Sequence, residues 1–88
     1  MIWRVEFDDR ARKELRKLDR QAQSLILCYL RDRIATDDDP RRFGDPLRKN
    51  MTGFWKYRIG PYRVICDIHE HIVTVRVLRV GHRKHVYE

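Results

Sequence analysis

Residues 54–64 read FWKYRIGPYRV, two short runs that carry both aromatics and cations on either side of Gly60-Pro61. Gly in the first turn position suits a two-residue type II′ hairpin. Such a turn sets Arg58 and Arg63 opposite each other on one face, where like charges repel. Strand alternation adds Lys56 to that face with Phe54, and it sends Trp55, Tyr57 and Ile59 to the other. In the second run, Arg63, Ile65 and Asp67 share the cationic face, while Tyr62, Val64, Cys66 and Ile68 face the core. The tail GHRKHVY brings Arg83, Lys84, His82, His85 and Tyr87 soon after the last strand pattern.

These residue types suit chemistry on a phosphodiester. A bound phosphate relieves the repulsion between fixed guanidinium groups. When a nucleophile attacks phosphorus, charge grows on the phosphate oxygens, and fixed cations lower that barrier. Imidazoles can carry protons near neutral pH, which makes His82 and His85 candidate shuttles. The rings of Phe54 and Tyr87 are available to hold an unstacked base. A solvated sheet face that uses charge for solubility is the other reading of the same strand cations.

The elements around this face follow from periodicity. IWRVEF (2–7) alternates as a half-buried strand. Asp8 or Asp9 can cap a helix whose narrow apolar stripe is Ala11, Leu15 and Leu18. The charged residues between them read as a solvated face. Asp19 caps a second helix, about residues 20–35, with Ala22, Leu25, Ile26, Tyr29, Leu30 and Ile34 buried. TDDDPRRFGDP (36–46) reads as a loop with a solvated acidic triplet. FWKYRI, YRVICDI and IVTVRVLRV are three further strands, the last broken by Gly81. The order predicts an α+β fold: an N-terminal strand, a two-helix hairpin, then a three-stranded antiparallel meander. The helices pack on one face of a four-stranded antiparallel sheet, with the first strand beside a later one.

The 88-residue chain is expected to be one domain, 1–88. Its net charge is +7. Residues 1–46 hold 11 Lys/Arg against 10 Asp/Glu, and residues 47–88 hold 9 against 3. The excess therefore sits with the strand cations and suits a polyanion or an acidic protein. No apolar run approaches the ~20 residues of a membrane span, and no signal-peptide pattern opens the chain, so the expected location is cytoplasmic. Cys28 and Cys66 are expected as free thiols, although their spacing does not exclude a disulfide. His69-x-His71 and His82-x-x-His85 lack the companion ligands of a zinc site, so no metal or other cofactor is expected.

FDDRARKELRKL, the W-K-Y-R-I strand, G-P-Y-R-V-I-C-D-I and V-L-R-V-G-H-R-K-H-V-Y together resemble the RelE toxins of toxin–antitoxin systems, in the RelE/ParE superfamily. The resemblance implies a metal-independent endoribonuclease that enters the ribosomal A site and cuts mRNA by attack of the 2′-hydroxyl on the adjacent phosphate. It implies phosphate binding and proton transfer for Lys56, scissile-phosphate binding for Arg63, and acid or charge-stabilising work for Arg83. Tyr87 would stack on the base. Arg58 stands where some members have a second lysine, and its pKa above ~12 makes it a poor base. Lys84 and Phe54 would complete the RNA contacts. Implied partners are the ribosome and mRNA, and an acidic RelB-like antitoxin in a heterodimer or heterotetramer. Operator DNA would be met only through the antitoxin. A ParE-like gyrase inhibitor and a non-catalytic nucleic-acid-binding module are the alternatives.

Overall fold

A computed structural model describes residues 1–85. Strand β1 (Arg4–Phe7) leads to helices α1 (Asp9–Lys17) and α2 (Arg20–Tyr29). Asp8 and Asp19 accept hydrogen bonds from the Ala11 and Ala22 amides at 2.9 and 2.8 Å, so each carboxylate satisfies an orphan N–H at a helix start. The second helix continues beyond Tyr29 as a π-helical turn, Leu30–Ile34, which keeps Ile34 fully buried. Strands β2 (Asp45–Pro46), β3 (Trp55–Ile59), β4 (Tyr62–His69) and β5 (Thr74–His82) follow. Ala11, Ile26, Leu30 and Ile34 of the helical segments share one core cluster with Tyr57, Ile59, Val64, Cys66, Val75, Val77 and Val80 of the sheet.

The α+β class and the helix-covered sheet agree with the sequence pattern, but the sheet has five strands in the order β1-β5-β4-β3-β2. It is mixed rather than wholly antiparallel, because β1 runs parallel to β5. Alternation reports which face a residue occupies and carries no strand direction, so the pattern could not choose. Strand β2 has only two residues, too few to show any period. Within α2, Leu25 is 45% exposed rather than buried. The acidic triplet is solvated as expected, and two of its members also make surface ion pairs. Asp38 pairs with Arg42 at 3.0 Å, and Asp39 pairs with Arg41 and accepts from its amide.

Two local features position the cationic face. In the first, the Tyr57 hydroxyl donates to the Pro40 carbonyl at 2.7 Å in the core, fixing the loop that delivers β2 to β3. Gly44 lies close against the same ring, where an added Cβ would come within 3.1 Å of Tyr57 Cε1. The second is a β-bulge. Ile65 pairs with Arg79, but Cys66 pairs with Val77, so Leu78 is the extra residue. The bulge shifts the alternation of β5. Val75 and Val77 before it, and Val80 after it, all face the core. Beyond it, Gly81 pairs with Arg63 and His82 pairs with Tyr62.

Candidate functional site: a cationic face beside the β3–β4 turn

Ile59 and Tyr62 are register partners, so the connection is the two-residue Gly60-Pro61 turn. Gly60 has φ +59°, a value that an L side chain rarely adopts, and the Pro61 ring fixes its own φ near −65°. Together these give the type II′ geometry that twists with the strands. Arg58 and Arg63 are consequently direct cross-strand partners. The cost of that pairing is built into the fold.

Arg63 is anchored at its base. Its Nη1 donates to the Tyr62 carbonyl at 2.8 Å and to the Gly60 carbonyl at 3.1 Å. Partial burial lowers its guanidinium pKa, and the positive charges of Arg58 and Arg83 lower it further. Arg58 is the cross-strand partner of Arg63. The Arg83 amide donates to the Pro61 carbonyl at 2.9 Å, so the hairpin turn also holds the segment after β5. Lys56 lies one pair further along, between Asp45 on β2 and Ile65 on β4.

Asp45 is the residue that sequence reasoning missed. It lies opposite Lys56, and its Oδ2 is 3.8 Å from Arg58 Nε. A carboxylate thus borders the cations at the sheet edge. Its signal was lost inside a loop of turn formers, because a two-residue strand has no pattern. Ile65 is a second difference. By alternation it belongs to the open face with Arg63, yet it is only 1% exposed. Its cross-strand neighbours are Lys56 and Arg79, whose aliphatic stems are long enough to cover it.

The structure does not bring every candidate together. His82 pairs with Tyr62, and their rings meet edge to face with centroids 6.1 Å apart and an interplanar angle of 82°. Tyr62 packs against the core cluster. The His82 ring therefore lies on the helix side of the sheet, away from Arg58 and Arg63. His85 follows it, with ring centroids 6.0 Å apart. Lys84 is exposed, and its amide donates to His82 Nδ1 at 3.3 Å. Phe54 is half-buried just before β3. Tyr87 lies outside the described residues. Cys28 and Cys66 are both free thiols. Among the described residues, no three His, Cys, Asp or Glu side chains gather where they could hold a metal ion, and no helix is long and apolar enough to cross a membrane.

Comparison with known proteins places this arrangement. Residues 5–87 match the family described as the ParE toxin of type II toxin–antitoxin system, parDE. Toxin RelG of Mycobacterium tuberculosis is 32% identical over 87 residues, covering 99% of this chain and 98% of that protein. Among solved structures, the toxin–antitoxin complex RelBE2 from Mycobacterium tuberculosis superposes with TM-score 0.86 at 31% identity, covering 94% of this chain and 93% of that one. The isolated Escherichia coli RelE toxin gives TM-score 0.71 at 26% identity, over 91% and 83% of the two chains. The chain belongs to the RelE/ParE superfamily and is a toxin of a type II toxin–antitoxin system.

Proposed function

We propose that this toxin is a ribosome-dependent, metal-independent mRNA endoribonuclease that cuts in the A site and so stops translation. The observation that carries the reading is the Arg58–Arg63 cross-strand pair beside the β3–β4 turn, with the Arg83 backbone tied to the same turn. Like charges set opposite each other cost the fold stability, and a phosphate seated between them offsets that repulsion. In the reaction, the 2′-oxygen forms a bond to phosphorus as the bond from phosphorus to the 5′-oxygen breaks. The products are a 2′,3′-cyclic phosphate and a 5′-hydroxyl. Arg63, anchored by its two turn carbonyls, holds the scissile phosphate. Arg58 and Arg83 gather the charge that develops on its oxygens, each worth a few kcal/mol of the barrier. Guanidinium is a poor proton acceptor. We therefore assign the first proton transfer to the Lys56–Asp45 end of the face, and stacking of the base to Tyr87 and Phe54.

An acidic RelB-like antitoxin covers this face in the inactive complex, meeting the positive excess of residues 47–88. The mycobacterial neighbour, itself a toxin–antitoxin complex, supports that partner. Contact with operator DNA is left to the antitoxin. The cytoplasm, where ribosomes and antitoxin are found, is the proposed location. A gyrase inhibitor of the same fold has no need of a phosphate cradle, and a simple binding module has no need of separable binding and cutting. The test follows from that separation. Arg63→Ala should weaken RNA binding, while Arg83→Ala should abolish cutting with binding largely retained. Product ends should carry the cyclic phosphate. Cutting that survives Arg83→Ala, or products ending in a 3′-hydroxyl, would refute the mechanism.

A further inference from the structure

The segment after β5 has three successive backbone N–H groups, and each has an acceptor. The Arg83 amide donates to the Pro61 carbonyl at 2.9 Å, and the His85 amide donates to the His82 carbonyl at 2.8 Å. The Lys84 amide donates to His82 Nδ1 at 3.3 Å. Two of the three acceptors therefore belong to His82. A side-chain acceptor reaching the amide two residues on is the contact that Asn and Asp make in Asx turns. Here an imidazole plays that part. The ring sits edge-on to Tyr62 on the helix side of the sheet, opposite the face that carries Arg58 and Arg63.

We propose that His82 is a positioning residue for Arg83: its neutral ring ties down the turn that holds Arg83 beside Arg58 and Arg63, and protonation of the ring releases that turn. The inference rests on the nuclease reading above. With Nδ1 accepting, the neutral ring carries its proton on Nε2. Once both nitrogens are protonated, both donate, and the Lys84 amide loses its acceptor. The new positive charge is also adjacent in sequence to the cations Arg83 and Lys84. The described groups in contact with the His82 ring are Tyr62 of β4 and Lys84 and His85 of its own segment, with Arg83 next to it in sequence. Among the described residues the one histidine ion pair is His69 with Asp67, so no described carboxylate pairs with His82. Acidification that protonates the ring therefore loosens the Arg83 segment.

The experiment compares His82→Ala and His82→Asn in the full-length toxin, since the Asn Oδ1 can take the place of Nδ1 and does not titrate. On programmed ribosomes His82→Ala should lower kcat by up to about 100-fold, the scale of a roughly 1 Å misplacement of a catalytic group, with KM little changed. His82→Asn should restore most of the rate and flatten the acid side of the pH profile. A second readout is independent of activity. Hydrogen exchange of the Lys84 amide should show protection at neutral pH that is lost on acidification in the wild type, kept in His82→Asn and absent in His82→Ala. An Asn variant as slow as the Ala variant would mean that His82 moves the proton itself, and would overturn the proposal. So would a wild-type rate and pH profile in His82→Ala, or an unprotected Lys84 amide in the wild type. If the wild type cuts no RNA, the nuclease reading fails, and the Lys84 amide still decides whether His82 holds the turn.

Discussion

Replacing Arg58 by Gln should stabilise the fold while weakening the site. Arg58 is the informative member of the pair, because Arg63 also donates to the Gly60 and Tyr62 carbonyls. Among the described residues Arg58 has only the 3.8 Å approach to Asp45, with 66% of its side chain exposed. Cross-strand Cβ atoms lie about 5 Å apart, which puts the two charges roughly 6 Å apart. Coulomb's law then gives about 0.7 kcal/mol of repulsion in water and about 3 kcal/mol at an effective dielectric of 20. Solvent screening of exposed groups pulls this toward the lower figure, and the lost Asp45 contact removes up to ~0.5 kcal/mol. A net gain of about 0.5 kcal/mol should raise Tm by about 2–4 °C in a domain of this size. Sulfate, a divalent stand-in for the phosphate, should stabilise the wild type by about 1.4 kcal/mol at ten times its Kd and the variant by clearly less. Thermal melts at matched ionic strength, with chloride as the control, read both effects. A lower Tm for Arg58→Gln with an unchanged sulfate shift would show that the pair is not an anion site.

Three further outcomes test the supporting structure. Tyr57→Phe leaves the buried Pro40 carbonyl without its donor and should cost about 1–3 kcal/mol in chemical denaturation. Val73, a β-branched residue held at φ +49°, carries left-handed strain, so Val73→Asn should gain about 0.5–1 kcal/mol. Asp45→Asn should slow the cleavage step about 100-fold while strengthening sulfate binding. An unchanged rate in that variant would reduce Asp45 to a counter-charge.

The parts of the site that were legible in the sequence were those with short-range causes. Gly60-Pro61 admits one hairpin geometry, and the Arg58–Arg63 register follows from it. Asp8 and Asp19 announce their helices because a carboxylate just before an amphipathic run has free amides to accept from. What escaped depends on contacts distant in sequence. The parallel pairing of β1 with β5 joins residues 70 positions apart. The bulge at Leu78 reverses which face the residues after it occupy, and no residue type in VRVLRV marks it. That reversal sets the His82 ring against Tyr62 rather than among the arginines. Asp45 was hidden for a similar reason, since its two-residue strand is defined by its pairing with β3, after a loop that Tyr57 pins to the core.

The central claim is that these cations grip and cut RNA on the ribosome. Purified toxin added to mRNA-programmed ribosomes, with 5′ ends mapped by primer extension, addresses it most directly. Cuts should fall inside the A-site codon, with none in naked RNA and none with the Arg63→Ala/Arg83→Ala double variant. Intact mRNA on the ribosome together with loss of supercoiling by gyrase in a parallel reaction would contradict it.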